Sequence, residues 1–237
     1  MNYSSKKVKS ESSISEKGKR EINEDSLKFK SGKFYIVCDG VGGNGNGQIA
    51  STLVAGTVKE SLLKSKAISE AIKESERVLS NYKKKNPSTE YMSTTIAVAE
   101  IFDNSILVSW AGDSRVYQFR DGKIVFKTSD HSLVANAVKK GILSSVEALL
   151  HPRANELTKS IKDSSKPVKS KQELVEDIQT NDYFLICSDG ITETWIDSDL
   201  EELFSNFKSS SEIIQELHKQ CEIFSEDNYS AIVFQII

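Results

Sequence analysis

The sequence predicts an α+β domain. Two helical patterns follow each other in the first third of the chain, and a block of short strand patterns comes next. A polar stretch then separates that block from a closing helix and strand. Regular βαβ alternation would interleave these elements; here they come in runs.

In chain order, residues 1–16 are rich in Ser, Lys and Glu and read as a frayed arm or a weak edge strand before a single domain over 17–237. The apolar run 34–38 reads as a buried strand. After a Gly-rich turn, Ile49, Leu53, Val54, Val58 and Leu62 recur at mostly four-residue steps, which predicts a helix over 48–63. Ile68, Ala71, Ile72, Val78, Leu79 and Tyr82 predict a second, which must stop before Pro87. Strands are expected over 94–101, 106–110, 116–119 and 124–126, the last two joined by Asp121-Gly122, a strong two-residue hairpin turn. Residues 132–172 are polar, with helical patches at 134–138 and 146–150, and read as an insertion outside the core. The run 183–187 is another strand, 213–224 a helix and 229–237 a terminal strand. No internal repeat is found.

At 237 residues the chain can bury a substantial single core. Its net charge of −3 offers no electrostatic case for nucleic-acid binding. No stretch approaches the roughly 18 apolar residues of a membrane span, and the N-terminus is too polar for a signal peptide. Cys38, Cys187 and Cys221 are odd in number and two lie in apolar runs, as reduced core thiols do. A cytoplasmic protein is expected.

Asp39-Gly40, Asp189-Gly190 and Asp227-Asn228 each stand at the edge of an apolar run, hence at a strand end. Carboxylates on rigid strand ends can converge, and converged carboxylates repel unless a cation sits between them. An all-oxygen set favours hard ions such as Mg²⁺ or Mn²⁺ over zinc. The segment Asp39-Gly40-Val41-Gly42-Gly43-Asn44-Gly45-Asn46-Gly47 has the setting of a phosphate loop but neither a Lys-Ser/Thr ending nor dinucleotide-type glycine spacing. Its glycines instead let backbone and waters approach a cation beside Asp39. Basic residues are overwhelmingly lysine, so Arg20, just before the first apolar strand, stands out. Its guanidinium could fork onto phosphate oxygens or make a surface ion pair.

Read together, these segments resemble the metal-dependent protein phosphatases of the type 2C class, the PPM family. The resemblance runs from about Lys17 to the C-terminus. Arg20 to Ser26 is similar to the family's Arg-x-x-Asn-Glu-Asp-Ser opening, and Val37 to Ser51 to its Asp-Gly-x-Gly-Gly block. Met92-Ser93-Thr94-Thr95 is similar to its Gly-Thr-Thr strand. Ala111-Gly112-Asp113-Ser114-Arg115-Val116-Tyr117 resembles its most diagnostic inner motif. Thr128, Asp130, His131 and Ser132, His151-Pro152-Arg153 through Thr158, Cys187 to Glu193, and Asp227-Asn228 complete the series.

That resemblance implies two packed antiparallel sheets flanked by helices on both faces, a four-layer αββα sandwich, with 132–172 as a flap-like insertion. It implies a protein serine/threonine phosphatase. Asp39 would bridge two Mn²⁺ or Mg²⁺ ions, the Gly40 carbonyl would hold one of them, and Asp189 and Asp227 the other. Glu24 and Asp25 would supply a ligand or orient waters, and Arg20 would clamp the substrate phosphate. Asp113 would help hold a third, weaker ion, with Glu193 as an outer carboxylate. A hydroxide shared by the two ions would attack phosphorus in line. The partner would be a phosphorylated protein, either a bacterial serine/threonine kinase or its targets, met by a monomer.

Four positions depart from the pattern: Val41, Asn44, Gln48 and Ser93. An apolar residue at 41 points to the bacterial type. His131 reads as a proton shuttle or as a structural hydrogen bond to a strand end, His151 as a cap within the insertion and His218 as solvent-facing. Apolar neighbours make the cysteines poor thiolates, and Ser114 and Ser188 lack a His-Asp partner arrangement. Two other readings compete: a catalytically weak relative that binds phosphoprotein as a regulatory module, and a two-metal nuclease.

Overall fold

The strongest apolar runs of the sequence become the innermost strands. In a computed structural model that describes residues 8–42, 45–87, 89, 91–144, 147–148, 151–164 and 166–237, the chain begins with β1 (Val8–Glu16), β2 (Ser26–Lys30), β3 (Phe34–Cys38) and a two-residue β4 (Gly40–Val41). Helices α1 (Asn46–Leu63) and α2 (Ile68–Lys85) follow. Then come β5 (Ser93–Thr94), β6 (Ile96–Ile101), β7 (Ile106–Ala111), β8 (Arg115–Arg120), β9 (Lys123–Lys127), α3 (Leu133–Lys139), β10 (Ile161–Lys162) and β11 (Lys171–Val175). The chain closes with β12 (Tyr183–Cys187), α4 (Asp189–Thr194), α5 (Asp197–Asn206), α6 (Ser210–Phe224) and β13 (Tyr229–Ile236).

The strands form two five-stranded sheets, β1-β13-β12-β8-β9 and β11-β7-β6-β3-β2, and a small sheet β10-β5-β4. Every named pairing is antiparallel. The continuous apolar runs follow from burial on both faces. Successive side chains point to opposite sides of a sheet, so Tyr35 and Val37 of β3 face the other sheet, where Phe184, Ile186, Ile232 and Phe234 meet them. Phe34, Ile36 and Cys38 of the same strand face α1 and α2, against Val54, Val58, Ile72 and Leu79. On the opposite outer face Tyr117, Phe119, Leu185 and Cys187 pack under Leu203, Phe204, Ile213 and Leu217. The result is the expected αββα sandwich.

Residues 8–16 are an edge strand, paired with β13 from Val8↔Ile236 to Glu16↔Tyr229. The stretch 132–172 is not wholly outside the sheets: Lys171 and Gln172 begin β11, which pairs with β7 as an edge. The helical patch 134–138 is α3; 146–150 falls largely outside the described residues. In the hairpin between β8 and β9, Asp121 and Gly122 both have positive φ (49° and 76°), as a two-residue turn of that kind demands. All three cysteines are free and buried. Among the described residues no helix is long and apolar enough to cross a membrane.

Phe204 anchors the α5 layer, stacking on Phe119 at 3.8 Å between ring centroids. Phe204→Ala should lower stability by about 3–5 kcal/mol, read as a fall in the urea midpoint with an unchanged slope.

Candidate active site

Asp39 lies where β3 leaves the large sheet and β4 enters the small one. Its backbone is fixed on both sides by the Thr94-Thr95 step. Asp39 N–H donates to Thr95 Oγ1 (2.9 Å), while Thr94 Oγ1 (2.7 Å) and Thr95 N–H (2.8 Å) donate to the Asp39 carbonyl. Thr95 Oγ1 also meets Ser114 Oγ at 2.6 Å, tying this step to the β7–β8 turn that carries Asp113. Gly40 is required by close approach. A Cβ there would lie 2.2 Å from the Gly47 carbonyl oxygen and 2.6 Å from that of Glu24.

Asp189 follows β12 as the first residue of α4. Ser188 beside it donates its N–H to the Ser230 carbonyl (3.0 Å) and its Oγ to Asp25 Oδ2 (2.7 Å). Asp25, brought in by the start of β2, is buried, and among the described residues its Oδ1 has no hydrogen-bond partner.

These carboxylates push one another out of the usual range. Burial raises Asp39 well above it, and Asp189, Asp25 and Asp113 add to the effect. Asp39 and Asp189 stand close enough that each shifts the other's protonation. Asp25 is pushed up to about 7 by burial, then by Asp189 and Asp227. Burial likewise raises Asp113 to about 7, with Asp189 and Asp130 contributing. Glu193, on the exposed rim, rises to about 7 through desolvation and then Asp189 and Asp227. Asp39, Asp113 and Asp189 each keep a solvent-accessible edge, so the cluster is open to small solutes.

Asp227 is placed differently from its expected partners. Arg20 Nη2 donates to its Oδ2 at 2.8 Å, and Asn228 N–H donates to its Oδ1 at 2.7 Å, so both oxygens are engaged. Among the described residues no three carboxylate, histidine or cysteine side chains stand as ligands to one ion. Of Asp39, Asp189 and Asp227, the first two meet each other, and Asp227 lies close enough to raise Asp189 and Asp25 electrostatically. Glu24 also has a second employment: its carboxylate accepts the N–H groups of Gly47 and Gln48 in the first turn of α1. The donors nevertheless fit a hard divalent ion. They are all oxygen, mutually repelling, and include the orphaned Asp25 Oδ1.

Asn228 is the residue that sequence reasoning left without a role. Its Nδ2 donates to the carbonyls of Lys17 and Ile22 (both 2.9 Å), and its Oδ1 accepts Glu24 N–H (2.8 Å). One amide thus pins the whole turn that presents Arg20, Glu24 and Asp25. Its place beside Asp227 was the available signal.

The family description "Protein phosphatase 2C" matches residues 3–136, more than half of the chain. The chain belongs to the protein phosphatase 2C family. The serine/threonine phosphatase Stp of Listeria monocytogenes is 28% identical over 190 residues, covering 75% of this chain and 73% of that protein. Phosphatase Stp1 from Staphylococcus aureus superposes with a TM-score of 0.88 at 26% identity, covering 100% of this chain and 98% of that one. The catalytic domain of phosphatase PstP, solved in complex with two manganese ions, shares the fold with a TM-score of 0.85 at 23% identity, covering 96% of this chain and 97% of that one.

Of the departures from the 2C pattern, Val41 is exposed on β4, and Ser93 Oγ donates to its carbonyl at 3.4 Å. Gln48 lies in the first turn of α1; Asn44 lies outside the described residues. His131 makes the structural hydrogen bond to a strand end, its Nδ1 accepting Gly112 N–H at 3.3 Å. His151 Nδ1 accepts Arg153 N–H (3.1 Å). His218 is half-buried rather than solvent-facing, because its Nδ1 meets the Tyr229 hydroxyl at 3.2 Å. Burial raises the Cys38 thiol, the Cys187 thiol to about 12 and the Cys221 thiol to about 11, so none is a ready thiolate.

Asn228→Asp replaces two donated hydrogen bonds with an acceptor facing two carbonyls. It should cost about 2 kcal/mol or more and raise amide hydrogen exchange over residues 17–24. Unchanged exchange there would remove Asn228 from its anchoring role.

Proposed function

We propose that this protein hydrolyses phosphoserine and phosphothreonine monoesters on proteins with bound Mn²⁺ or Mg²⁺. The single observation that carries the reading is the solvent-open carboxylate cluster around the closely spaced Asp39 and Asp189, in a chain of the protein phosphatase 2C family. Asp39, the Gly40 carbonyl, Asp189 and Asp227 would hold two ions. Asp113 would hold a third, with Glu24, Asp25 and Glu193 outside them. Bound there, the ions supply Lewis acidity, activating water and neutralising phosphoryl charge.

The chain's own residues supply the positioning. Thr94 and Thr95 fix the backbone of Asp39. Ser188 orients Asp25. Arg20, largely exposed at the rim, offers a planar fork to the phosphate oxygens, and its ion pair with Asp227 keeps that fork over the acids. Partially exposed ion pairs of this kind are weak, so an incoming dianion can take the guanidinium. The substrate class follows from the family; the finer reading is a monomeric cytoplasmic enzyme opposing a bacterial serine/threonine kinase. The intact acids and Arg20 argue against a purely regulatory relative.

Activity on an aryl phosphate and on a phosphothreonine peptide should require added Mn²⁺ or Mg²⁺ and vanish with chelator; full turnover by metal-stripped protein would sink the reading. Asp39→Asn, Asp189→Asn and Asp227→Asn should each lower turnover at least about tenfold, Asp39→Asn the most. Arg20→Lys keeps the charge but loses the fork, so the Michaelis constant for phosphopeptide should rise while the Mn²⁺ titration midpoint moves little. A shifted metal midpoint with an unchanged Michaelis constant would make Arg20 a brace for Asp227 only.

A further inference from the structure

The flap side of the site carries a donor mismatch that the chemistry above does not use. His131 Nδ1 accepts Gly112 N–H, so the neutral ring bears its hydrogen on Nε2. In that tautomer Nε2 meets Lys159 Nζ at 3.4 Å, donor against donor, while Lys159 Nζ also donates to the Lys169 carbonyl at 3.3 Å. The ring is neutral near pH 7: burial, then Lys159 and Lys171, lower its pKa to about 4 against the opposing charge of Asp130, whose carboxylate is held by Arg115. Lys171 approaches the same place from β11, its Nζ 4.8 Å above the Trp110 ring, on which His131 also stacks at 6.0 Å. Lys171 has one weak acidic neighbour, Glu173 at 3.5 Å, and both are half exposed. Both lysines thus lie close enough to act on the His131 ring, and an acceptor with negative charge would satisfy the two cations and the ring N–H gathered there.

Lys159 is also the start of a groove of about 120 Å³ that carries two further cations, Lys162 and Lys166. The one acid lining it, Glu76, is turned into the wall, where it accepts Val168 N–H at 2.7 Å. The groove lies beside the acids. Its strand β10 pairs with β5 and β5 with β4, aligning Ile161 with Thr94 and Thr94 with Gly40. Two strand spacings are about 10 Å, the reach of roughly three extended residues.

We propose that His131, Lys159 and Lys171 form a subsite for an anionic side chain, carboxylate or second phosphate, about three to five residues from the phosphate that the enzyme removes. This deepens the phosphatase reading and rests on it.

The test uses the full chain with Mn²⁺ and a set of phosphothreonine peptides carrying Glu, Gln, Lys or a second phosphothreonine at each position within five residues of the scissile one. Aryl phosphate, which has no flank, runs alongside. At one or two positions Glu should exceed Gln in kcat/KM by about fivefold. A larger gain from the second phosphothreonine would identify phosphate as the preferred anion, and an equal or smaller gain carboxylate. Within each variant the Glu-to-Gln ratio is the readout: Lys159→Arg should keep it, Lys159→Gln and Lys171→Gln should bring it towards one, and Lys159→Glu should turn the preference to the Lys peptide. Aryl phosphate turnover with no flank preference at any position, or a preference that survives both glutamine substitutions, overturns the subsite alone. Absence of aryl phosphate turnover overturns the phosphatase reading and the subsite with it.

Discussion

Acids gathered at one end of a sandwich repel one another, and the surrounding structure exists to hold them there. Asp189, Asp25 and Asp113 each raise the pKa of Asp39, and Asp189 also raises those of Asp25 and Asp113. A flexible chain would relieve that repulsion by separating them. It is prevented because Asp39, Asp113 and Asp189 each sit within two residues of a strand buried on both faces, so moving one of them means moving a core strand, while Asp25, at the start of the edge strand β2, is held by Ser188. Apolar burial of β3, β12 and β13 is thus what makes the electrostatic arrangement affordable.

The polar scaffold between the acids is short-range and redundant. Thr95 touches both the Asp39 backbone and Ser114, so the ends of β3 and β7 are set relative to each other through one hydroxyl. Ser188 links the end of β12 to Asp25 and, through its backbone, to β13. Asn228 joins the start of β13 to the turn bearing Arg20. Each link is a small polar side chain, and only Asp25 Oδ1 is left without a partner among the described residues.

Much of this was legible in the chain because strands buried on both faces leave continuous apolar runs. The segments 34–38 and 183–187 were read with the bounds they have in the structure, and Asp121-Gly122 announced its hairpin. What escaped notice has physical causes. Strand β11 exposes four of its five residues at a sheet edge, so it shows no apolar alternation. Helix α4 has six residues, too few to display a period. The acids announced themselves, but not how they divide: Asp227 pairs with Arg20 and Glu24 caps α1 through contacts between residues about 200 and 25 positions apart, which no local pattern encodes.

The distribution of charge then bears on how a substrate approaches. The chain's modest net charge of −3 conceals a sharp separation, with acids at the strand ends and lysines along the flap-side groove. A phosphate dianion approaching the acids alone meets repulsion at short range, where solvent screening is weakest. Arg20 offsets only part of it, since the guanidinium is already shared with Asp227. Divalent cations held by Asp39, Asp189 and Asp227 would offset that repulsion. The lysines along the groove carry the charge that the acids lack, so with cations on the acids both parts of this end of the sandwich would attract an anionic phosphoprotein.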